Sequence, residues 1–519
     1  VAAGFTAAAI LLSVALMPPR EYLPLGNQNF LFGILLPPPG YSLEEVSALH
    51  DLYDDQLAPL WKDPAGSPAA LAKPGGGVEG FFFVSLHDMA FMGVQANDPL
   101  RVRELIPEFQ KANAQIPGSF AFIEQASIFQ NNIGEGRNID VDLTGPDLVR
   151  LIGMGGEVFG KVMQELPGAQ ARPIPSLDLG NPEVRVAIRR RRAADLGITN
   201  RDLGFAVSAL VDGVKTSDYQ LEGREIDLRL MAEEGFAHRT HLLEQMPIAT
   251  PDGALVTLGS VADVELVNGP VGINHAERQR AITIRVTPSE TMQLEKAMQV
   301  IGTRILEPMA REGRLGGLYQ ARMSGTAAKL EQTGRAMSWN ILLALAITYL
   351  LMASLFESFL YPFVIMFSVP LASLGGFLGL YAVHLAFDQK LDVLTMLGFI
   401  ILIGTVVNNA ILIVHQGLNH MRNDAMEPRD AIAESVRTRI RPIFMSVGTS
   451  VLGMMPLVLF PGAGSELYRG LGAVVVGGLA LSTVFTLFLV PAVFSLMLDV
   501  RAALGARLRS HPWIAQRAD

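Results

Sequence analysis

Two adjacent asparagines, Asn408 and Asn409, sit inside "LIGTVVNNAILIVHQ", a run from Leu402 to Gln416 that otherwise suits hydrocarbon. An amide without a partner in an apolar medium is unfavourable, so these side chains must face other helices or a water-filled path. On a helix Thr405 lies three residues before Asn408 and four before Asn409, and the three are expected to form one polar patch. Such a patch can hold helices together, at about 0.6 to 2 kcal/mol per hydrogen bond, or it can take part in a proton relay. Asparagine donates and accepts hydrogen bonds but has no exchangeable charge, so it can orient water or bind a carboxylate without titrating itself. His415, seven residues past Asn408 and roughly on its face, has a reference pKa of about 6.5 and either relays protons or marks the membrane interface.

The elements that must position these groups are membrane helices. Runs without Asp, Glu, Lys or Arg occur at Val1–Met17, Met337–Phe356, Pro362–Val383, Leu394–Val414, Pro442–Pro461 and Gly470–Leu498. All but the first reach the roughly 20 residues that a bilayer requires. The first lacks a basic leader and is followed by "MPPREYLP" rather than a small-residue cleavage site, so it reads as a truncated transmembrane helix in a fragment that begins mid-helix. None of the runs contains a carboxylate; titrating groups at mid-membrane must then come from another segment. Gly375, Gly376 and the Ala473/Gly477 pair suit close helix contact, while Pro370, Pro456 and Pro491 are expected to kink their helices.

Arg422, Arg429, Arg437, Arg439 and Arg441 join two of these runs, and Arg501, Arg507, Arg509 and Arg517 follow the last; the opposite loops hold only Lys390 and Arg469. The positive-inside rule puts the arginine-rich loop and the tail, 499–519, in the cytoplasm and the long polar region outside. The net charge of −9 argues against nucleic acid as partner, and the absence of cysteine excludes disulfides and thiolate metal sites. No Ser/His/Asp arrangement, Walker loop or HExxH motif points to an enzyme. Arg189–Arg192 opens a predicted helix and reads as a solvated or subunit-facing surface; "GGGVEG" leads into a strand and lacks the dinucleotide pattern.

More than 300 residues of mixed polarity separate the first two runs. "NFLFGILLP", "VEGFFFVSL" and "SFAFIEQASIF" read as strands; "YSLEEVSALHDLYDDQLAPLW", with capping-box spacing at Ser42 and Glu45, and "PLRVRELIPEFQKANAQI" read as helices. A second unit starts at "NIDVDLTG", continues through the helix "PDLVRLIGMGGEVFGKVMQEL" to the strand "EVRVAIR", and resumes at "RAITIRVTP" and a helix from Met292 to about Arg311. The interval from about Pro182 to Pro270 has its own helix, "RDLGFAVSALVDG", capped by Thr199 or Asn200, and strands "SDYQLEG" and "REIDLRLMA". An inserted domain explains the interruption, and small α+β sandwiches with βαβ units fit both patterns.

"NNAILIV", "RTRIRPIFMSVGTSVLGMMPLVLFPGAGSE" and "SLFESFLYPFVIMFSVPLASLGG" occur together, and with "PEVRVAIRRRRAADLGIT" they closely resemble the resistance-nodulation-division (RND) efflux transporters, in particular the hydrophobe/amphiphile branch. The resemblance implies an RND transporter fold: an α-helical polytopic membrane domain with a large periplasmic α+β region. It implies the C-terminal half of a bacterial inner-membrane permease, with porter subdomains at 28–137 and at 138–181 with 271–327, an inserted docking subdomain at 182–270, and five transmembrane helices within 337–498. A homotrimer, a periplasmic adaptor and an outer-membrane channel would be its partners, amphiphiles its substrates, and the proton motive force, with no cofactor, its energy source.

In drug-exporting members the position of Asn408 carries a lysine that pairs with two aspartates of the other half. Asn408 departs from that pattern and can only hydrogen-bond such a pair. Ser446 and Thr449 resemble the family's hydroxyl partner region, or else bond to their own helix backbone. Met89, Phe91 and Met92, in "SLHDMAFMGV", resemble in position the mobile loop that lines the family's substrate pocket and would give deformable apolar contacts; core packing is the equal alternative for them and the reading for Phe81 and Phe83. The two methionines also admit export of soft metal such as copper or silver. A transport-inactive structural paralogue is a further alternative.

Overall fold

The computed structural model describes residues 2–23, 28–38, 40–86, 89–126, 136–233, 239–289, 291–387, 389–460 and 465–509. The chain divides into two compact units. One comprises Val1–Pro37, Leu43–Pro175 and Asn274–Asp519, the other Pro38–Ser42 and Ser176–Ile273.

In the larger unit, helix α1 (Ala2–Leu16) is apolar apart from Thr6 and Ser13. A sheet follows from β1 (Leu31–Leu36), β2 (Val78–Ser85), β3 (Ala90–Ala96) and β4 (Phe120–Gln125), antiparallel throughout in the order β2-β3-β1-β4. Helices α2 (His50–Trp61) and α3 (Ile106–Asn113) share the aromatic core on one face. The two-residue period of a strand decides which side chains reach it. Phe81 lies 6.0 Å from Phe109 and 6.3 Å from Trp61, and Phe83 lies 5.7 Å from Tyr53. Phe82, between them, points to the other face. The stretch Ser85–Val94, expected as a mobile loop, is largely strand: β2 and β3 form a hairpin in which Ser85 pairs with Ala90 and the Leu86 amide donates to the Met89 carbonyl. His87 and Asp88 lie outside the described residues.

A second sheet contains β5 (Ile139–Gly145), followed by α4 (Leu148–Glu165), whose first turn is capped by the Asp147 carboxylate accepting from the Arg150 amide at 3.1 Å, and β6 (Gln170–Ile174). Here the smaller unit enters. Its β7 (Asn181–Ile188) and β12 (Ala262–Gly269) are paired, and α5 (Asn200–Val211) starts with a capping box between Thr199 and Asp202. The strands β8 (Val214–Leu221) and β9 (Arg224–Leu230) make a hairpin, and β10 (Pro247–Ala249) pairs with β11 (Leu255–Thr257). Ile198, Leu203, Leu243, Met246, Ile248 and Leu258 form its own core. The strand "EVRVAIR", expected to belong to the second sheet, is β7 and, among the described residues, pairs only with β12; the strand that returns to the sheet is β6, which the alternation pattern did not expose because Pro173 interrupts it.

The second sheet is completed by β13 (Asn274–Ala276), β14 (Gln279–Thr287) and β15 (Gln320–Gly325), in the order β13-β14-β5-β15, with β6 also on β14. Between β14 and β15, α6 (Leu294–Val300), a π-helical turn (Ile301–Leu306) and α7 (Glu307–Arg311) run as one rod. Ile139, Val141, Leu143, Ile282, Ile284 and Val286 are buried on the face that α4 covers with Leu151, Val158 and Val162.

The remaining helices are α8 (Thr326–Phe356), α9 (Leu360–Met366), α10 (Ser368–Phe387), α11 (Val393–Asn423), α12 (Pro428–Leu459) and α13 (Ser465–Arg509). Counting α9 with α10, five spans are long and apolar enough to cross a membrane. Lipid offers little hydrophobic drive for helix association, so close backbone approach has to supply it. Gly375 and Gly477 do so between α10 and α13: a Cβ on Gly375 would stand 2.6 Å from the Gly477 carbonyl oxygen, and one on Gly477 would stand 2.5 Å from that of Gly375. Some buried hydroxyls in the spans return to their own helix: Ser482 and Thr483 donate to the Leu479 carbonyl at 3.2 and 2.6 Å.

Candidate functional site

The expected single patch on α11 is divided. Asn409 is 4% exposed and flanked by buried Val406, Ala410 and Ile413, whereas Thr405, Asn408 and His415 lie on an open face of the helix. At 100° per residue, Asn409 is turned well away from Asn408, and the packing of α11 on its neighbours fixes which of them is enclosed. The Thr405 hydroxyl donates back to Leu402 and Ile401 carbonyls at 3.1 and 3.2 Å. Gly404, on the same open side, has no atom within 4 Å of a built Cβ, so this face can admit another helix closely. On α12, Ser446 and Thr449 are exposed as well, and Thr449 donates to its own Met445 carbonyl at 2.7 Å, the backbone-bonded arrangement.

Toward the C-terminal end of α11 a polar line continues. The His415 ring lies 6.4 Å from that of Phe356, with its Nδ1 3.3 Å from the Asn419 amide. Gln416 accepts from Arg439 of α12 at 2.7 Å and lies 3.0 Å from His420, which reaches Asp424 at 2.7 Å. The spacing of Gln416, His420 and Asp424, four residues apart on one helix face, was present in the sequence; the contact with Arg439 was not, because it joins two helices.

The N-terminal end of α11 holds the group that sequence reasoning missed. Asp392, in the loop before α11, is 1% exposed and caps the helix, its Oδ1 accepting from the Thr395 amide at 2.7 Å and its Oδ2 from Gln389 at 3.2 Å. It lies just outside the span. Burial raises its carboxyl to about 6; the Thr395 amide opposes this, and the negative charge of Glu21 adds to it.

Around the first sheet, the face away from α2 and α3 is aromatic. Phe82 lies 5.5 Å from Phe91 and 6.1 Å from Phe30. Gly93, opposite Phe82 in the ladder, leaves the room they need, since a Cβ there would overlap both the Phe30 and Phe82 rings. Met89 and Phe91 are half-buried at this hairpin, but Met92 is 1% exposed on the opposite, core side, where its side chain packs over Gly33. The strand period that sets Phe91 against Phe82 turns Met92 inward; its structural role here is core packing.

Comparison with known proteins sets these features in a family. The chain is 30% identical to the multidrug resistance protein MdtC of Erwinia amylovora, over 62% of this chain and 30% of that protein, and 33% identical to MdtC of Erwinia tasmaniensis with the same coverage. Its fold matches crystal structures of a heavy metal efflux pump in two crystal forms, each with a TM-score of 0.75 at 22% identity, over 96% of this chain and 51% or 50% of the pump. The chain thus spans about a third of the length of those curated relatives and about half of those solved chains. The family model for AcrB/AcrD/AcrF matches residues 1–498, and the chain belongs to that family of RND efflux transporters.

Proposed function

We propose that the chain is the C-terminal half of a proton-driven exporter of amphiphilic small molecules in a bacterial inner membrane. The family match through residue 498 carries this reading. The aromatic face of Phe30, Phe82 and Phe91, with Met89 at its edge, supports contact with apolar substrate bodies, because such rings offer large, adaptable surface. The open side of α11 at Thr405 and Asn408 supports the docking of a helix that brings titrating carboxylates, which Asn408 can hydrogen-bond. Each charge moved through 100 mV supplies about 2.3 kcal/mol to drive such a cycle. In this arrangement the two sheet units are periplasmic porter subdomains, the unit at Ser176–Ile273 is the docking subdomain near an outer-membrane channel, and the working state is a homotrimer with a periplasmic adaptor.

Export of soft metal is the second reading, favoured by the fold shared with the heavy metal efflux pump. The enclosure of Met92 weakens it, since Met89 then has no thioether partner from that pair on the open face. The complete reading frame that encodes this chain, expressed in an efflux-deficient bacterium, is expected to lower accumulation of a cationic amphiphilic dye, and a protonophore is expected to abolish the effect. Raised silver tolerance with unchanged dye accumulation would replace this reading with metal export.

A further inference from the structure

A five-residue strap, Pro18–Tyr22, leaves α1 and is gripped from two directions. On one side the Glu21 amide donates to the Leu391 carbonyl at 2.9 Å, and the Val393 amide donates to the Tyr22 carbonyl at 3.1 Å, which ties the strap to the residues that open α11. On the other side the Arg20 amide and Nε donate to Glu295 at 2.7 and 2.9 Å, and the Leu294 amide donates to the Glu21 carboxylate at 3.1 Å. Leu294 and Glu295 open α6. The first amides of a helix have no intrahelical acceptor, and Gln293 makes no side-chain cap here. Glu21, from 273 residues away, supplies the missing acceptor.

The same carboxylate is 1% exposed and receives Arg137 Nε at 2.8 Å. Arg137 also donates to the carbonyls of Pro288, Ser289 and Met292, so its charge is committed to the turn that leads into α6. Asp392, 1% exposed at the head of α11, lies between Leu391 and Val393, both hydrogen-bonded to the strap, and the negative charge of Glu21 adds to the burial that raises its carboxyl. Among the described residues, the other charged or titratable groups around this junction include Tyr22, Arg20 with Glu295, buried Lys390, His384 with its Nδ1 2.9 Å from the Gln389 carbonyl, and Arg469 over the Phe387 ring.

We infer that the buried junction of Arg20, Glu21, Arg137 and Asp392 is a proton-operated joint between the head of α11 and the head of α6. When the Asp392 carboxylate takes up a proton, the repulsion on Glu21 ends and the strap holds both helix heads together. When the proton returns to water, two enclosed carboxylates oppose each other and the strap loosens, so α11 and α6 shift independently. The joint deepens the exporter reading, because it connects the helix of Asn408 and Asn409 to the second sheet; only its purpose, not its operation, rests on that reading.

Hydrogen exchange on the full chain in lipid nanodiscs, corrected for intrinsic rates and read by mass spectrometry between about pH 5 and pH 8, tests the joint. Peptides covering 18–23, 289–296 and 389–395 are expected to lose about tenfold of their protection as pH rises through about 6, while peptides within 400–414 stay protected. Asp392→Asn and Asp392→Ser, which both keep a capping oxygen, are expected to abolish the pH step. Equal protection at both ends of the range in the wild type, or a step that survives in either variant, overturns the proposal. Dye export that fails while the step remains would sink the exporter reading and leave the joint intact.

Discussion

Asn408 and Asn409 are consecutive in the chain but occupy different environments, one on the open side of α11 and the other enclosed at 4% exposure. A substitution at each therefore has a different cost. Asn408→Leu is expected to leave the stability of the chain in detergent within about 0.5 kcal/mol of wild type. Asn409→Asp puts a carboxylate where no solvent reaches and is expected to cost roughly 2 to 4 kcal/mol at alkaline pH. Thermal unfolding followed by circular dichroism compares them; equal effects would contradict the division of the pair.

Asp392 gives stability a pH dependence of known sign. Its carboxyl rises from an ordinary 3.8 to about 6 on folding, so between these values the folded chain binds more protons than the unfolded one. Its contribution is fully present below about 3.8 and is lost as pH rises to about 6, a change of roughly 3 kcal/mol. Asp392→Asn, which caps a helix about as well, is expected to melt at a higher temperature than wild type at pH 8, with the gap closing toward pH 4. A gap that is independent of pH would show that Asp392 ionises normally.

The approach of α10 to α13 predicts intolerance of even one methyl group. Gly477→Ala places its new carbon against the Gly375 carbonyl and the Gly379 backbone, neither of which can turn aside as a side chain can. A loss of about 1 to 3 kcal/mol is expected in detergent melts. Gly453→Ala on α12, with nothing within 4 Å of a built Cβ, is the control and is expected to be neutral.

On the first sheet, Gly93→Ala is expected to drive Phe30 and Phe82 apart and to weaken binding of an amphiphilic dye to the full chain about tenfold or more, as is Phe82→Ala. Met92→Ala is expected to act instead through stability, by roughly 2 to 5 kcal/mol, because it opens a cavity in the core. Fluorescence titration and thermal melts on each variant separate the two effects.

The sequence made the membrane helices plain, because a span is a local property: each of its five long apolar runs overlaps one of the five segments that, among the described residues, are long and apolar enough to cross a bilayer. The Thr199 cap was equally local, with donor and acceptor within four residues. Phe82 was harder to read, since three consecutive phenylalanines hide the alternation that sends only the middle one to the open face. The junction of Glu21, Arg137 and Asp392 was illegible for a different reason. Its members lie more than 100 residues apart, and each alone resembles an ordinary surface charge. Asp392 in particular lies in a short loop between two apolar runs, and only tertiary packing encloses it.

The entry of the smaller unit has a consequence for how this architecture changes over time. Strand β6 lies along Thr283–Thr287 of β14 and β13 along Gln279–Ala281, both antiparallel to it, so together they form a single sheet edge cut in the middle. The chain leaves at the cut and returns to the same edge a residue later in the ladder. To the host sheet the intervening segment is a long excursion from one edge strand, and among the described residues its strands pair only with one another. Such a cassette is free to diverge, or to be exchanged for another of different surface, while the host keeps its register.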